Sequence, residues 1–301
     1  MIIVNIKNGL GNQMFQYAFG RVLEWKYGVP VLFHFFGDTQ DYPRKTKLDV
    51  FDINQIHEPL KGVIDPFEPF SVRKYRDEKK YIHYIYFKIR RVLQKNRLIT
   101  EAYPSQFQQC FNRLNIDTKY FFLGFWQNPK YFIGYESKIK KMFFPKDRGI
   151  YYSDIALEIS NSKFTTVSLH IRRGDYLTSG FIEPAAIEYY WKAIECILNK
   201  FKNPFFYIFT DEPLWVQDKF KLEFNIPYKI VTGNIGDESY KDIILMSICQ
   251  NNIIANSSFS WWGAWLNPNP QKVVIAPQKW YATTRRDKYS ADITPKEWIR
   301  I

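Results

Sequence analysis

Residues 165–176 read TTVSLHIRRGDY, an apolar strand that stops at two arginines, a glycine and an aspartate. Strands that run into a core normally close on neutral turn residues. Two adjacent guanidiniums at such an end are awkward to solvate, and Arg is suited to gripping phosphate bidentately. In an open α/β sheet, ligands sit just beyond the carboxyl ends of the strands. The stretch therefore reads as an anion site suited to a diphosphate. A surface charge pair, with Asp175 as its salt-bridge partner, accounts for the same residues without a ligand.

Outward from this strand, the chain alternates strands and helices. Strands read at 165–171, 205–210, 228–232, 252–256 and 272–276, most of them short continuous apolar runs of the kind buried on both faces. Helices are predicted at 185–201, 214–224, 239–250 and 259–266; the first carries Ile187, Tyr190, Ile194, Ile197, Leu198 and Phe201 at helical spacing. Such alternation is the signature of a doubly wound parallel sheet. The beginning of the chain repeats the theme, with a strand at 2–6, a glycine-containing turn at 7–12, a helix at 13–27 and a strand at 29–35. Residues 38–130, rich in Pro, Tyr and charge, read as irregular helices and long loops, with one further strand at 120–126. The expectation is an α/β chain of two Rossmann-like lobes, 1–155 and a more regular 156–301.

Of the 301 residues, 46% are hydrophobic and 19% aromatic, which excludes a disordered chain. The aromatic excess fits carbohydrate-binding surfaces as well as core, because sugar C–H faces pack on rings. A net charge of +12 fits an acidic partner, yet no Lys/Arg block resembles a nucleic-acid-binding tail. The densest basic stretch, residues 84–97, carries Lys88, Arg90, Arg91, Lys95 and Arg97 among apolar residues. It reads either as an amphipathic helix on an anionic membrane or as an ordinary solvated helix face. Cys110, Cys196 and Cys249 form neither a disulfide framework nor a zinc pattern, as suits a reducing cytosol. No apolar run reaches signal-peptide or membrane-spanning length, so a cytoplasmic protein is expected.

Three further segments fall where strand ends should converge. Asn8-Gly9-Leu10-Gly11-Asn12-Gln13 offers glycines for a tight turn and a helix start that favours negative charge; a plain turn with a cap reads equally well. Thr210-Asp211-Glu212-Pro213 closes one strand and opens a helix, as site residues or as caps. Asn256-Ser257-Ser258-Phe259-Ser260 opens another helix with four polar residues where a cap needs one, which favours phosphate binding. Asp242, in a first helical turn, is either a dipole partner or an acceptor for the N1–H and N2–H₂ edge of guanine. There is no Asp-x-Asp, and His34, His57, His83 and His170 lack metal spacing, so arginine and helix ends must supply the charge for a diphosphate.

Taken together, NGLGNQMFQYA at 8–18, HIRRGDY at 170–176 and NSSFSWWGAWL at 256–266 resemble the family 11 inverting α-1,2-fucosyltransferases. The HxRR element is shared with α-1,6- and protein O-fucosyltransferases; the other two are more specific. The resemblance implies a GT-B architecture, its lobes facing across a cleft, with 1–155 on the acceptor side and 156–301 binding GDP-L-fucose. It implies no metal or other cofactor, and a galactose-terminated oligosaccharide or lipid-linked glycan as acceptor. With the basic surface, it gives peripheral contact with the inner face of an anionic membrane as one reading, while the charge pattern gives no expectation of nucleic acid. Carried over by position, Arg172 holds the donor β-phosphate, His170 faces the nucleotide and Asp242 reads guanine. Asn256, Ser257, Ser258 and Phe259 wrap the diphosphate, and Thr210 and Asp211 lie beside the nucleoside. Gly11 and Asn12 reach the pyrophosphate or fucose from the other lobe. Asp175 is the first candidate for the base, or else a brace for the arginines. Related enzymes place a glutamate about ten residues after the histidine; Gly180 stands there, which leaves Glu183 as second candidate and a base-poor mechanism open. A fucosyltransferase of another linkage, or a non-catalytic glycan- or nucleic-acid-binding protein, is the alternative.

Overall fold

Residues 1–35, 46–53, 96–101, 114–179, 182–223, 226–283 and 287–301 are described by the computed structural model. They fall into two compact units, Met1–Asp49 with Ile53–Ile139, and Val50–Asp52 with Lys140–Ile301. Residues 140–155 thus group with the second unit. Residues 84–95 of the basic stretch, His57, His83, Cys110 and Gly180 lie outside the described residues.

In the first unit, β1 (Ile2–Ile6), β2 (Val31–Phe35), β3 (Asn96–Glu101) and β4 (Lys119–Gly124) form a parallel sheet in the order β2-β1-β4-β3. β1 is buried along its whole length, as a continuous apolar run in a covered parallel sheet should be. Helix α1 (Leu10–Tyr27) returns the chain to β2. Its Phe19 stacks on Trp126 at 4.2 Å and meets Phe122 and Tyr131 edge-on, so much of the aromatic excess is core. Two expectations change here. Asn96 and Arg97 begin β3 rather than end a basic helix. Gly11 and Asn12 lie inside α1 rather than in the turn before it. The left-handed residue of that turn is Asn8, at φ 70°, while Gly9 is an extended N-cap at φ −68°; Asn is among the few L-residues that enter this region cheaply.

The second unit opens on α2 (Glu136–Met142), which the unit boundary crosses, and α3 (Asp154–Ser160). β5 (Thr165–Ile171) follows, then α4 (Tyr176–Ser179), α5 (Ile187–Lys200), β6 (Pro204–Thr210), α6 (Pro213–Glu223) and β7 (Tyr228–Val231). The chain continues through α7 (Tyr240–Ile248), β8 (Asn251–Ile253), α8 (Ser258–Leu266), β9 (Val274–Ala276) and β10 (Ile299–Arg300). All sheet pairs are parallel, in the order β10-β9-β8-β5-β6-β7. Counted from β5, this is the 6-5-4-1-2-3 order of a Rossmann sheet, whose direction of winding reverses between β5 and β8.

Side-chain alternation along β5 sorts its two faces. Val167, Leu169 and Ile171 pack with Tyr190, Ile194 and Ile197 of α5. Thr166, Ser168 and His170 point the other way, where Asn252 donates to Ser168 Oγ (2.7 Å) and to the Met246 carbonyl of α7 (2.8 Å). On that face α8 lies close to α7: a Cβ at Gly263 would stand 2.8 Å from Met246 Cβ. Trp261 and Trp262 are fully buried, and the Trp261 indole N–H donates to the Ile293 carbonyl at 2.8 Å. The paired indoles hold α8 so that its N-terminus stands at the reversal point. The predicted strands and helices of this unit recur within a few residues; β10, two residues long, has no sequence signal.

Candidate functional site

The reversal between β5 and β8 is where an open α/β sheet leaves a crevice, because crossovers depart to opposite faces. Immediately after β5 the chain turns through residues 172–175, closed by the Tyr176 N–H donating to the Arg173 carbonyl at 2.9 Å. The Arg172 guanidinium is held from two sides. Asp175 Oδ1 accepts from its Nη2 at 2.8 Å and its Nε at 3.0 Å, and Asp211 Oδ2 stands 3.3 Å from Nε. Asp211 Oδ1 also accepts the Arg173 backbone N–H at 3.1 Å. This carboxylate explains the glycine of the turn, since a Cβ at Gly174 would lie 2.5 Å from Asp211 Oδ2. Arg173 departs in another direction, pairing with Glu212 at 3.1 Å and stacking 3.9 Å over the Trp215 ring. The two arginines are therefore not equivalent.

Across the reversal, Asn256 is buried; its Nδ2 donates to the carbonyls of Glu183 (2.9 Å) and Trp280 (3.1 Å). Its Oδ1 is buried with no hydrogen-bond partner among the described residues, and a buried acceptor of this kind normally finds a donor. Tyr176 links the two strand ends. Its hydroxyl donates to the Asn256 carbonyl at 3.3 Å, and its ring lies 5.8 Å from the Arg172 guanidinium. Ser257 caps α8, its Oγ accepting from the Phe259 N–H at 3.3 Å, and half-buried Ser258 is the first helical residue. A helix start so placed favours an anion.

His170 sits behind this turn, buried, with its ring 5.7 Å from Phe259 and its Nδ1 without a hydrogen-bond partner among the described residues. Burial, reinforced by the Arg172 charge, pushes its pKa down to about 3, so the imidazole is neutral near pH 7. Asp242, in the first turn of α7, accepts from Asn234 Nδ2 at 2.7 Å. Burial raises its carboxyl to about 7, against the pull of that hydrogen bond.

The structure thus brings together His170, Arg172, Asp175, Asp211, Asn256, Ser257 and Phe259 through contacts within one unit. Thr210 Oγ accepts the Glu212 N–H at 3.0 Å, a turn-closing role. The Glu183 carboxylate is exposed and pairs with Lys279 at 3.2 Å; only its backbone carbonyl enters the Asn256 network. Gly11 and Asn12 belong to the first unit, where Asn12 Oδ1 accepts from Gln127 Nε2 at 2.7 Å. Asn8 and Trp126, at φ 70° and 56°, sit beyond the ends of the neighbouring strands β1 and β4. Sequence reasoning missed Tyr176, Asn234 and Trp215. Tyr176 lay inside the quoted motif, while the other two follow strand ends, which is the signal that could have found them.

The model of glycosyl transferase family 11 matches residues 1–301. An alpha-1,2-colitosyltransferase of Escherichia coli is 30% identical over 317 residues, spanning 100% of this chain and 99% of the relative. A galactoside 2-alpha-L-fucosyltransferase of Caenorhabditis elegans is 24% identical over 328 residues, spanning 100% of this chain and 79% of the relative. A NodZ alpha-1,6-fucosyltransferase crystal soaked with GDP-fucose superposes with a TM-score of 0.52 at 14% identity, covering 89% of this chain and 92% of that one. That likeness identifies the fold, which is GT-B. No described helix is long and apolar enough to cross a membrane.

Proposed function

Starting from a chain that belongs to glycosyl transferase family 11, we propose that it transfers L-fucose from GDP-β-L-fucose, with inversion, to the 2-hydroxyl of a terminal β-galactoside. The observation that carries this reading is Arg172, fixed by Asp175 and Asp211 at the sheet reversal beside the N-terminus of α8. In this reading the guanine edge meets Asp242 and the diphosphate lies between Arg172 and the Ser257–Ser258 helix start. His170, neutral and with an Nδ1 that has no partner among the described residues, faces the nucleotide with Phe259. As the galactose oxygen bonds to the fucose anomeric carbon, the bond from that carbon to the β-phosphate oxygen breaks and its electron pair leaves with GDP. Arg172 and the helix end meet that growing charge, and preorganisation of this kind is the largest usual contribution to barrier lowering.

The ion pair with Arg172 supports a bracing role for Asp175, and Asp211 shares it; the Lys279 pairing of Glu183 speaks against a base there. The hydroxyl proton then passes to the departing diphosphate or to solvent late in the displacement. A second reading has one observation in its favour. The 30% identical relative is named a colitosyltransferase, and colitose is L-fucose without its 3-hydroxyl, so GDP-colitose is the alternative donor. The test is transfer to methyl β-galactoside from each donor, with the product linkage read by NMR. A fucosyl or colitosyl 1→2 product supports the reading, and the ratio of kcat/KM values selects the donor. No transfer from either donor, or preference for UDP- or ADP-sugars, refutes it.

A further inference from the structure

At the turn after β5, the second unit holds a cavity of about 420 Å³ that opens to solvent and is lined in part by Arg173. Trp191, Trp215, Leu177 and Pro184 form apolar walls, and Arg173 and Lys219 add cationic groups. The size falls within the range of small-ligand sites, which are mostly apolar surface with a few placed polar groups. None of the residues named above for the donor lines it. Its position is set by the same turn, because Arg172 and Arg173 leave adjacent backbone positions for different partners.

The lining selects a class of ligand. The Arg173 charge is already paired with Glu212 and Lys219 stands at an exposed position, so the lining is dominated by two indoles and aliphatic groups, which match the C–H faces of pyranose rings better than a phosphate. The Arg173 guanidinium is immobilised between Glu212 and Trp215, so it can donate to sugar hydroxyls with little further ordering. We infer that this cavity is an acceptor subsite, which takes a pyranose residue of the acceptor glycan lying beyond the galactose that is modified. The inference rests on the proposed transferase reading and deepens it: the enzyme reads a glycan longer than its terminal sugar.

The experiment compares methyl β-galactoside with a galactose-terminated tetrasaccharide, using the whole chain saturated with donor. Wild type is expected to show a KM about tenfold lower for the tetrasaccharide, the gain from roughly 1.4 kcal/mol of added contact. Ala186→Trp fills the cavity from its exposed rim. It should raise the tetrasaccharide KM to that of the methyl glycoside while leaving kcat and methyl β-galactoside transfer unchanged. Lys219→Glu, at another exposed position, should raise it about threefold, so the outcome does not hang on the folding of one variant. Equal KM values for both acceptors in wild type, or unchanged tetrasaccharide KM in both variants, overturn the subsite. If wild type transfers to neither acceptor, the transferase reading fails. Saturation-transfer NMR with the tetrasaccharide and GDP then judges the cavity alone: contacts to the inner sugars that vanish in Ala186→Trp support it, and their absence refutes it.

Discussion

Asp242 makes the affinity of the proposed donor site depend on pH in a direction that can be worked out beforehand. Its carboxyl is half-buried in the folded protein and raised to about 7 by desolvation, whereas an exposed aspartate titrates near 3.8. A guanine N1–H and N2–H₂ pair hydrogen-bonds only to the ionised form, so binding must remove the proton from any molecule that carries it. The apparent dissociation constant then scales as one plus the proton concentration over the acid constant. It is near its limit at pH 8 and about tenfold weaker at pH 6. At pH 7 about half a proton is released per donor bound. GDP-fucose is the probe of choice, because esterification of its β-phosphate removes the nucleotide's own ionisation near neutrality. Titration calorimetry in two buffers of different ionisation enthalpy reads both quantities. Asp242→Asn should bind GDP-fucose weakly and without this pH dependence. It should also unfold at a higher temperature than wild type above pH 7. Burial favours the protonated carboxyl, so this group's stabilisation is complete below the unfolded value and is lost as pH rises through 7, at a cost of roughly 4 kcal/mol. Affinity for GDP-fucose that is flat between pH 6 and 8, or a mutant that binds as wild type does, would refute the assignment of Asp242 to guanine.

Three other perturbations bear on the same unit. Arg172→Ala should lower kcat about 10³-fold with an unchanged circular dichroism spectrum, a loss on the scale of removing one transition-state donor; activity within tenfold of wild type would exclude Arg172 from charge stabilisation. Gly174→Ala pushes a methyl into the space of Asp211 Oδ2 and should reduce kcat by about tenfold through a displaced Arg172, roughly 1.4 kcal/mol, with GDP-fucose affinity falling alongside. Trp261→Ala empties a fully buried indole site and orphans the Ile293 carbonyl. It should cost about 3–5 kcal/mol, read as a fall in melting temperature on the order of 10 °C.

The α/β class was legible because β6, covered on both faces, is a nearly continuous apolar run, because β5 sets Val167, Leu169 and Ile171 at strand alternation, and because α5 repeats its buried side chains at helical spacing. The polar end of β5 was legible for the opposite reason, as charge where burial predicts none. What stayed hidden depends on contacts between distant residues. Asp211 meets Arg172 and Arg173 only because β6 lies beside β5 in register, with Ile171 opposite Thr210; no local pattern announces that. Strand β3, NRLITE, pairs among the described residues with β4 alone, and its polar composition matches a loop as well as a strand. The turn after β1 misled because glycine is the usual signal for a left-handed residue, and here an asparagine takes that conformation.

The turn that follows β5 has a further consequence, for how its letters should be read. Arg173-Gly174-Asp175 spells the tripeptide by which cell-adhesion receptors recognise extracellular matrix, and such receptors need an arginine and an aspartate that project freely in opposite directions. Here Arg173 is paired with Glu212 and laid on Trp215, Asp175 is spent on Arg172, and the glycine is required by the Asp211 carboxylate beneath it. Each of the three letters has an internal reason. A synthetic peptide copied from this segment would lose all three neighbours and regain the freedom to bind such receptors, while the folded protein would not compete with it.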